Sequence, residues 1–197
     1  MRALSDYRAD ARTALEGNWN TSALFYFVYV LIVGVVNGIA VPFGYGSGSL
    51  LGTVLILPIA YGVVVAFLRL IRGENIQIEW LIDNFNRRIW ISMFLQYLFI
   101  LLWALLLVIP GIIKYYSYAM VPYILKDDPT AYGREALDRS AAMMKGHKMD
   151  LFLLDMSFLG WILLSMFTFG IGMMWVAPYM ATANAAFYED LKNEYHG

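Results

Sequence analysis

Cysteine is absent from this 197-residue chain, and charged side chains are scarce. Without cysteine the chain can form no disulfide, no thiolate metal site and no cysteine nucleophile. Asp, Glu, Lys and Arg make up 15% of its residues, whereas soluble domains carry about 25%. The net charge of −1 provides no excess of positive charge for a nucleic acid, so we predict no nucleic-acid partner.

Histidine is almost absent as well. The two histidines, His147 and His196, have no neighbours at metal-ligand spacing, so we predict neither a metal site nor another cofactor. The chain also lacks a Gly-x-Ser-x-Gly nucleophile elbow, a Walker loop and a His-Glu-x-x-His motif. We therefore expect a protein without catalytic activity of its own.

Long apolar runs are what the chain does contain. Hydrophobic residues make up 60% of it and aromatic residues 16%, a composition typical of membrane proteins with aromatic belts at the interfaces. The apolar runs occupy residues 22–43, 50–71, 89–125, 149–167 and 171–191. The turns between paired runs, at residues 44–48 and 168–170, carry no charge.

The run at residues 89–125 contains a single formal charge, Lys114. One helix of this length would measure roughly 55 Å, well beyond a bilayer core of about 30 Å. It is therefore either one helix kinked at Pro110 or two helices that turn at Pro110 and Gly111. The fourth helix, at 111–125, would be only about 22 Å long, and so short, tilted or re-entrant.

The distribution of positive charge favours the turn. With a cytoplasmic N-terminus and a hairpin in the middle, all Lys and Arg residues except Lys114 lie on the cytoplasmic side, which satisfies the positive-inside rule. A single crossing would instead put the five positive charges of residues 126–148 outside. We therefore predict a multi-pass protein whose N- and C-termini are both cytoplasmic.

The predicted fold is an all-α polytopic transmembrane bundle. Its six membrane helices form three helical hairpins, each preceded by a short interfacial amphipathic helix. The amphipathic segments are 3–16, 78–85 and 130–145, the last capped by Thr130. The layout repeats three times within one domain covering 1–197, in units at about 3–74, 75–128 and 129–194.

Several short motifs, concentrated between residues 109 and 191, resemble a known family. The most specific are Pro110-Gly111-Ile112-Ile113-Lys114, Met143-Met144-Lys145-Gly146-His147-Lys148, Thr168-Phe169-Gly170-Ile171-Gly172 and Phe187-Tyr188-Glu189-Asp190-Leu191. They resemble the bacterial integral membrane proteins known as domain of unknown function 975. The resemblance implies a six-helix protein of the bacterial inner membrane, and it brings no reaction or substrate with it.

Lys114 is the first candidate site residue, with Tyr115 and Tyr118 beside it. A charge within a membrane span is a candidate for function, and here it could bind an anion such as a lipid phosphate or a carboxylate. The alternative is that Lys114 extends to the outer headgroups beside an aromatic belt.

Asp155 is the second candidate, about one and a half turns into the fifth span. It either relays protons or makes structural hydrogen bonds, and a direct pair with Lys114 is not expected because the two should lie near opposite faces of the membrane.

For the whole chain we expect a protein that binds or moves a lipid-like or peptide-like amphipathic molecule, with membrane lipids as its partners. The alternative is a non-catalytic accessory or scaffold subunit of another membrane protein or transporter.

Overall fold

The computed structural model describes residues 2–40, 47–81 and 86–196, and every regular element in these ranges is helical. The α-helices are Leu4–Leu15 (α1), Trp19–Ala40 (α2), Ser47–Ile71 (α3), Arg87–Leu106 (α4), Val108–Ser117 (α5), Val121–Asp127 (α6), Arg134–Met143 (α7), Lys148–Met156 (α8), Leu159–Met166 (α9) and Met173–His196 (α10). A short 3-10 helix, Ile78–Leu81, precedes α4. The predicted all-α fold is confirmed. The predicted turn at residues 44–48 lies largely outside the described ranges.

Four helical stretches are long and apolar enough to cross a membrane. They are Trp19–Ile39, Gly52–Ile71, Arg87–Leu105 and Lys148–Met166. These four correspond to the first, second, third and fifth of the six predicted spans, so the membrane class follows from them. The fourth predicted span is divided between α5 and α6, and the sixth coincides with α10, whose second half is charged.

The turn predicted at Pro110 and Gly111 is wrong by three residues. Helix α4 ends at Leu106, Leu107 is extended (φ −161°, ψ 139°), and both predicted turn residues lie in the first turn of α5. Proline fits there because the first N–H groups of a helix need no partner within it. Gly111 serves close packing instead, since a Cβ on it would lie 2.7 Å from the Cα of Ala104.

Helices α4 and α5 run antiparallel on either side of Leu107. The Lys114 ammonium lies over the Trp103 ring, the Tyr118 ring meets Phe99, and the Gln96 side chain donates to the Tyr118 carbonyl at 2.9 Å. With ten residues, α5 is roughly 15 Å long, about half of a bilayer core. The chain after Leu107 therefore forms two short helices, α5 and α6, with a turn between them. The sequence predicts one helix there, at 111–125, that is short, tilted or re-entrant.

The first amphipathic segment is helical as predicted, but protein covers its apolar face. Tyr7, Ala11 and Leu15 in α1 are completely buried. The Tyr7 ring meets Phe187 of α10 edge-on, with centroids 5.4 Å apart, and its hydroxyl donates to Asp190 at 2.6 Å. Helix α1 is therefore part of the bundle core, and its apolar stripe is not free to lie in lipid.

The other two amphipathic segments differ from the first. Of the second, the described residues form the 3-10 helix, where Trp80 is buried beneath the Arg69 guanidinium, and the rest of the prediction, at residues 82–85, lies outside the described ranges. The third is shorter than predicted, since α7 covers only Arg134–Met143. In the third, Thr130 is not the helix cap. Its backbone N–H and hydroxyl both donate to Asp128, and α7 begins only after Gly133, which has a φ of 53°.

Ion pairs join distant parts of the chain at one end of the bundle. We call Arg72, Asp127, Tyr188, Glu189 and Lys192 the ion cluster. Arg72 donates to Asp127 at 2.7 and 2.8 Å and to Glu189 at 2.7 Å, and Lys192 contacts Asp127 at 2.6 Å. The end of α3, the end of α6 and the second half of α10 therefore meet at this cluster.

Candidate functional site

Lys114 lies between two aromatic rings. Its ammonium is 5.1 Å from the centre of the Trp103 ring and 5.5 Å from that of Tyr118, within the range of cation–π attraction. Within the described residues it forms no ion pair. Tyr118 is buried and Tyr115 is half exposed, so of the two predicted neighbours only Tyr118 offers its ring face to the charge. The surroundings of the Lys114 charge are therefore aromatic rings and not a carboxylate.

Asp155 is held by residues of two other helices. Tyr116 of α5 donates its hydroxyl to one carboxylate oxygen at 3.2 Å, and Asn184 of α10 donates its amide to the other at 3.4 Å. We call these three residues the Asp155 triad. The predicted site residues thus fall in two places, with Lys114 and Tyr118 against α4 and Asp155 against α10.

A third polar feature was not anticipated as a site. A cavity of about 430 Å³ opens between α1, the start of α2, α9 and the start of α10. We call it the arginine–tryptophan groove. Its lining is Arg8, Arg12, Trp19, Trp161, Trp175, Val176 and Tyr179.

Local structure places the two arginines side by side. Arg8 and Arg12 are four residues apart in α1 and so lie on the same side of the helix. The Tyr179 hydroxyl donates to the Arg8 carbonyl at 3.1 Å, which fixes α1 against α10. The Tyr179 ring also packs edge-on against Trp19 and Phe158, so aromatic contacts brace this wall of the groove.

The two arginines of the groove have no carboxylate partner among the described residues. Within the described part of the chain neither Arg8 nor Arg12 pairs with a carboxylate, whereas Arg2 pairs with Asp10 and Asp190. The Nε atom of Arg8 is buried and has no acceptor, and that of Arg12 donates only to the Arg8 carbonyl at 3.4 Å. The groove therefore presents guanidinium donors without an anion.

The indoles beside these arginines are accessible from outside. Trp161 is 51% exposed and Trp175 is 41% exposed. An indole combines a large apolar face with one N–H donor, a combination suited to contact with molecules that have both apolar and polar parts. A planar guanidinium binds carboxylate or phosphate with two parallel hydrogen bonds. Chemically, the groove matches an anionic head attached to an apolar body.

Sequence reasoning missed this groove because its parts are far apart in the chain. The sequence pattern assigns no binding site to Arg8, Arg12, Trp161 or Trp175. The four-residue spacing of the arginines does show that they share one side of a helix. The sequence does not show that α1 and residues 161–179 line the same groove.

Comparison with known proteins identifies the family. The model of a family described as "Protein of unknown function (DUF975)" matches residues 97–195, just over half of the chain. The chain therefore belongs to this family. No curated protein and no solved structure matches it.

Proposed function

We propose that this member of the DUF975 family is a non-catalytic membrane protein that binds or moves an anionic amphipathic molecule. The arginine–tryptophan groove would be its binding site. The ligand would be lipid-like, or a peptide of similar character, with a phosphate or carboxylate head.

The unpaired guanidinium groups of Arg8 and Arg12 carry this proposal. Elsewhere in the described residues, Arg2, Arg72 and Arg139 are each paired with carboxylates. An arginine whose Nε is buried without an acceptor loses hydrogen bonds to water and gains none from the protein. An anionic head placed between the two guanidinium groups would restore them. The cavity of about 430 Å³ lies within the usual size range of small-molecule sites, so it can hold a head group and the start of a chain.

We further propose a bacterial inner-membrane location and three membrane hairpins that all enter from the cytoplasm, with both termini on that side. Three observations support this. The four apolar helices are long enough to cross a bilayer. The ion cluster brings the ends of α3 and α6 together with the second half of α10. Arg2 pairs with Asp190, which adds the N-terminal segment to the same end.

The binding proposal can be tested by tryptophan quenching. The purified protein in detergent would be titrated with lipids that carry bromine on the chain, with either an anionic or a zwitterionic head. We expect saturable quenching by the anionic lipid and at least tenfold weaker binding to the Arg8→Gln/Arg12→Gln double variant. Arg134→Gln is the matched control, since Arg134 is exposed on α7 and pairs only with Asp138. Equal binding by the double variant and the control would refute the proposal.

A second candidate function is that of an accessory or scaffold subunit of another membrane protein. Its support is the face of α2 that carries Gly34 and Gly38. Of the described part of the chain, no atom outside this helix lies within 4 Å of where a Cβ would sit on either glycine. Glycines at this spacing allow two membrane helices to approach closely. Crosslinking in native membranes followed by purification would reveal one stoichiometric protein partner if this second function is correct.

A further inference from the structure

Asp155 is an acidic residue inside one of the four apolar stretches, Lys148–Met166. Both of its hydrogen-bond donors, the Tyr116 hydroxyl and the Asn184 amide, are neutral groups. They come from α5 and α10, so three helices meet at this one carboxylate. A position of this kind inside a membrane span is costly for a charge.

Within the described residues no arginine, lysine or histidine pairs with Asp155. The titratable groups that interact with it electrostatically are phenols, namely Tyr115 and Tyr116 of α5 and Tyr123 of α6. Helix α10 contributes the Asn184 amide, which is neutral. Arg8 and Arg12 of α1 line the groove, whose lining does not include Asp155. On α8 itself, Asp150 is engaged with His147 at 3.3 Å.

We propose that Asp155 is a proton-binding site. The carboxylate takes up one proton from the aqueous phase and becomes a neutral carboxylic acid, and no other bond is made or broken. The driving force is the removal of an uncompensated negative charge from an apolar span. By contrast, the carboxylates of the ion cluster are each paired with a positive charge, Asp127 with Arg72 and Lys192, and Glu189 with Arg72.

The triad contains an acceptor that suits the protonated state. The Oδ1 atom of Asn184 is buried and has no donor, while its Nδ2 atom faces the carboxylate. Turning this amide by half a rotation would bring the oxygen to Asp155. Only the protonated acid can donate to that oxygen. Proton uptake would thus reverse the direction of the hydrogen bond between α8 and α10.

Infrared spectroscopy tests this directly, because a neutral carboxylic acid has a C=O stretching band that a carboxylate lacks. The purified protein would be measured in detergent with no added lipid. We expect the band at neutral pH in the unaltered protein and in Asp150→Asn, and its loss in Asp155→Asn. Asp150 is the matched control because it lies on the same helix with 42% of its side chain exposed.

A second variant keeps the test decisive if Asp155→Asn fails to fold. Tyr116→Phe removes one donor to the carboxyl group and should shift the frequency of the band without abolishing it. Absence of the band at neutral pH, its survival in Asp155→Asn, or an unshifted frequency in Tyr116→Phe would overturn the proposal. Because each readout follows the Asp155 carboxyl group and none depends on adding lipid, these outcomes are separate from whether the groove binds an amphipathic molecule.

Discussion

Arg72 and Arg8 are the same kind of residue in two regions that use positive charge differently. Arg72, in the ion cluster, donates to Asp127 and Glu189, and its side chain is 30% exposed. Arg8, in the arginine–tryptophan groove, has a buried Nε without an acceptor and no carboxylate partner among the described residues. The charge of Arg72 is compensated within the fold. The charge of Arg8 has no such compensation among the described residues.

The acid–base behaviour of the ion cluster agrees with this contrast. Burial alone would raise the pKa of Asp127, but hydrogen bonds from Arg72, Lys192 and Tyr188 outweigh burial and hold the pKa at about 2. The same hydrogen bond to Asp127 raises the pKa of Arg72 above its usual value. Each partner therefore stabilises the charged form of the other, as expected of groups that hold a fold together.

The largest effect is expected for Arg72→Gln. This change leaves Glu189 without its arginine and Asp127 with only Lys192 and the Tyr188 hydroxyl, so we expect a loss of about 3 kcal/mol in the free energy of unfolding. Thermal unfolding in detergent, followed by helical circular dichroism, would measure it. Arg134→Gln should change stability by less than about 0.5 kcal/mol, because its pair with Asp138 is exposed. Similar melting of the two variants would show that the ion cluster adds no more stability than the exposed Arg134–Asp138 pair.

Acid should weaken the ion cluster through Asp127. Its pKa in the folded protein, about 2, is below the ordinary value of 3.8. The stability it contributes is therefore fully present above pH 4 and is lost as the pH falls from about 4 through 2. Melting temperatures across this range should fall more steeply for the unaltered protein than for Asp127→Asn, which starts lower at neutral pH. Parallel acid profiles would show that Asp127 is not held by its partners.

Tyr7→Phe tests the hydrogen bond that joins α1 to α10, and its expected effect on stability is smaller than that of Arg72→Gln. It removes only the hydroxyl that donates to Asp190 at 2.6 Å and keeps the ring against Phe187. A hydrogen bond to a charged acceptor is worth about 1.5 kcal/mol, so a loss of about that size is expected in the same unfolding assay. A variant as stable as the unaltered protein would mean that the hydrogen bond from Tyr7 to Asp190 does not stabilise the contact between α1 and α10.

Arg8→Gln, one residue further along the same helix, should have the smallest effect on stability. Since Arg8 has no anionic partner to lose, we expect a change within about 0.5 kcal/mol in lipid-free detergent. The unfolding assay used for Tyr7→Phe applies without modification. A loss as large as that of Arg72→Gln would show that Arg8 belongs to the structural network after all.

The sequence predicted the features that depend on neighbouring residues. Apolar runs and helical spacing located α1, α2, α3, α4 and the stretch formed by α8 and α9, because each depends on residues within a few turns. The tight turn at residues 168–170 was also predicted, and there Phe169 and Gly170 both have positive φ. Such signals are local, and no partner elsewhere in the chain is needed to interpret them.

The errors have identifiable causes. The pattern predicts a turn at Pro110, but proline is also favoured in the first turn of a helix, which is where Pro110 lies. Gly111 is needed because its backbone packs closely against Ala104. The pattern predicts Thr130 as a helix cap, but its N–H and its hydroxyl both donate to Asp128. The contact of Gly111 with Ala104 joins two helices and cannot be inferred from spacing, whereas the Asp128–Thr130 hydrogen bonds span two residues and compete with a helix cap at Thr130.

The sequence groups candidate site residues only where they are neighbours in the chain, as with Lys114, Tyr115 and Tyr118. Asp155 and Lys114 stand out in a sequence because they are charges within apolar runs. The partners of Asp155, Tyr116 and Asn184, lie 39 and 29 residues away. The groove joins Arg8 to Trp175 across most of the chain. Long-range packing of this kind is set by the whole bundle and cannot be inferred from spacing.

Native mass spectrometry of the protein purified from its membrane tests the central claim most directly. The claim is that the unpaired arginines of the groove bind an anionic amphipathic molecule. We predict adducts with the mass of an anionic lipid or similar amphiphile on the unaltered protein and on Arg134→Gln, and their loss from Arg8→Gln/Arg12→Gln. Adducts that persist equally in the double variant, or that consist only of zwitterionic lipid, would contradict the account.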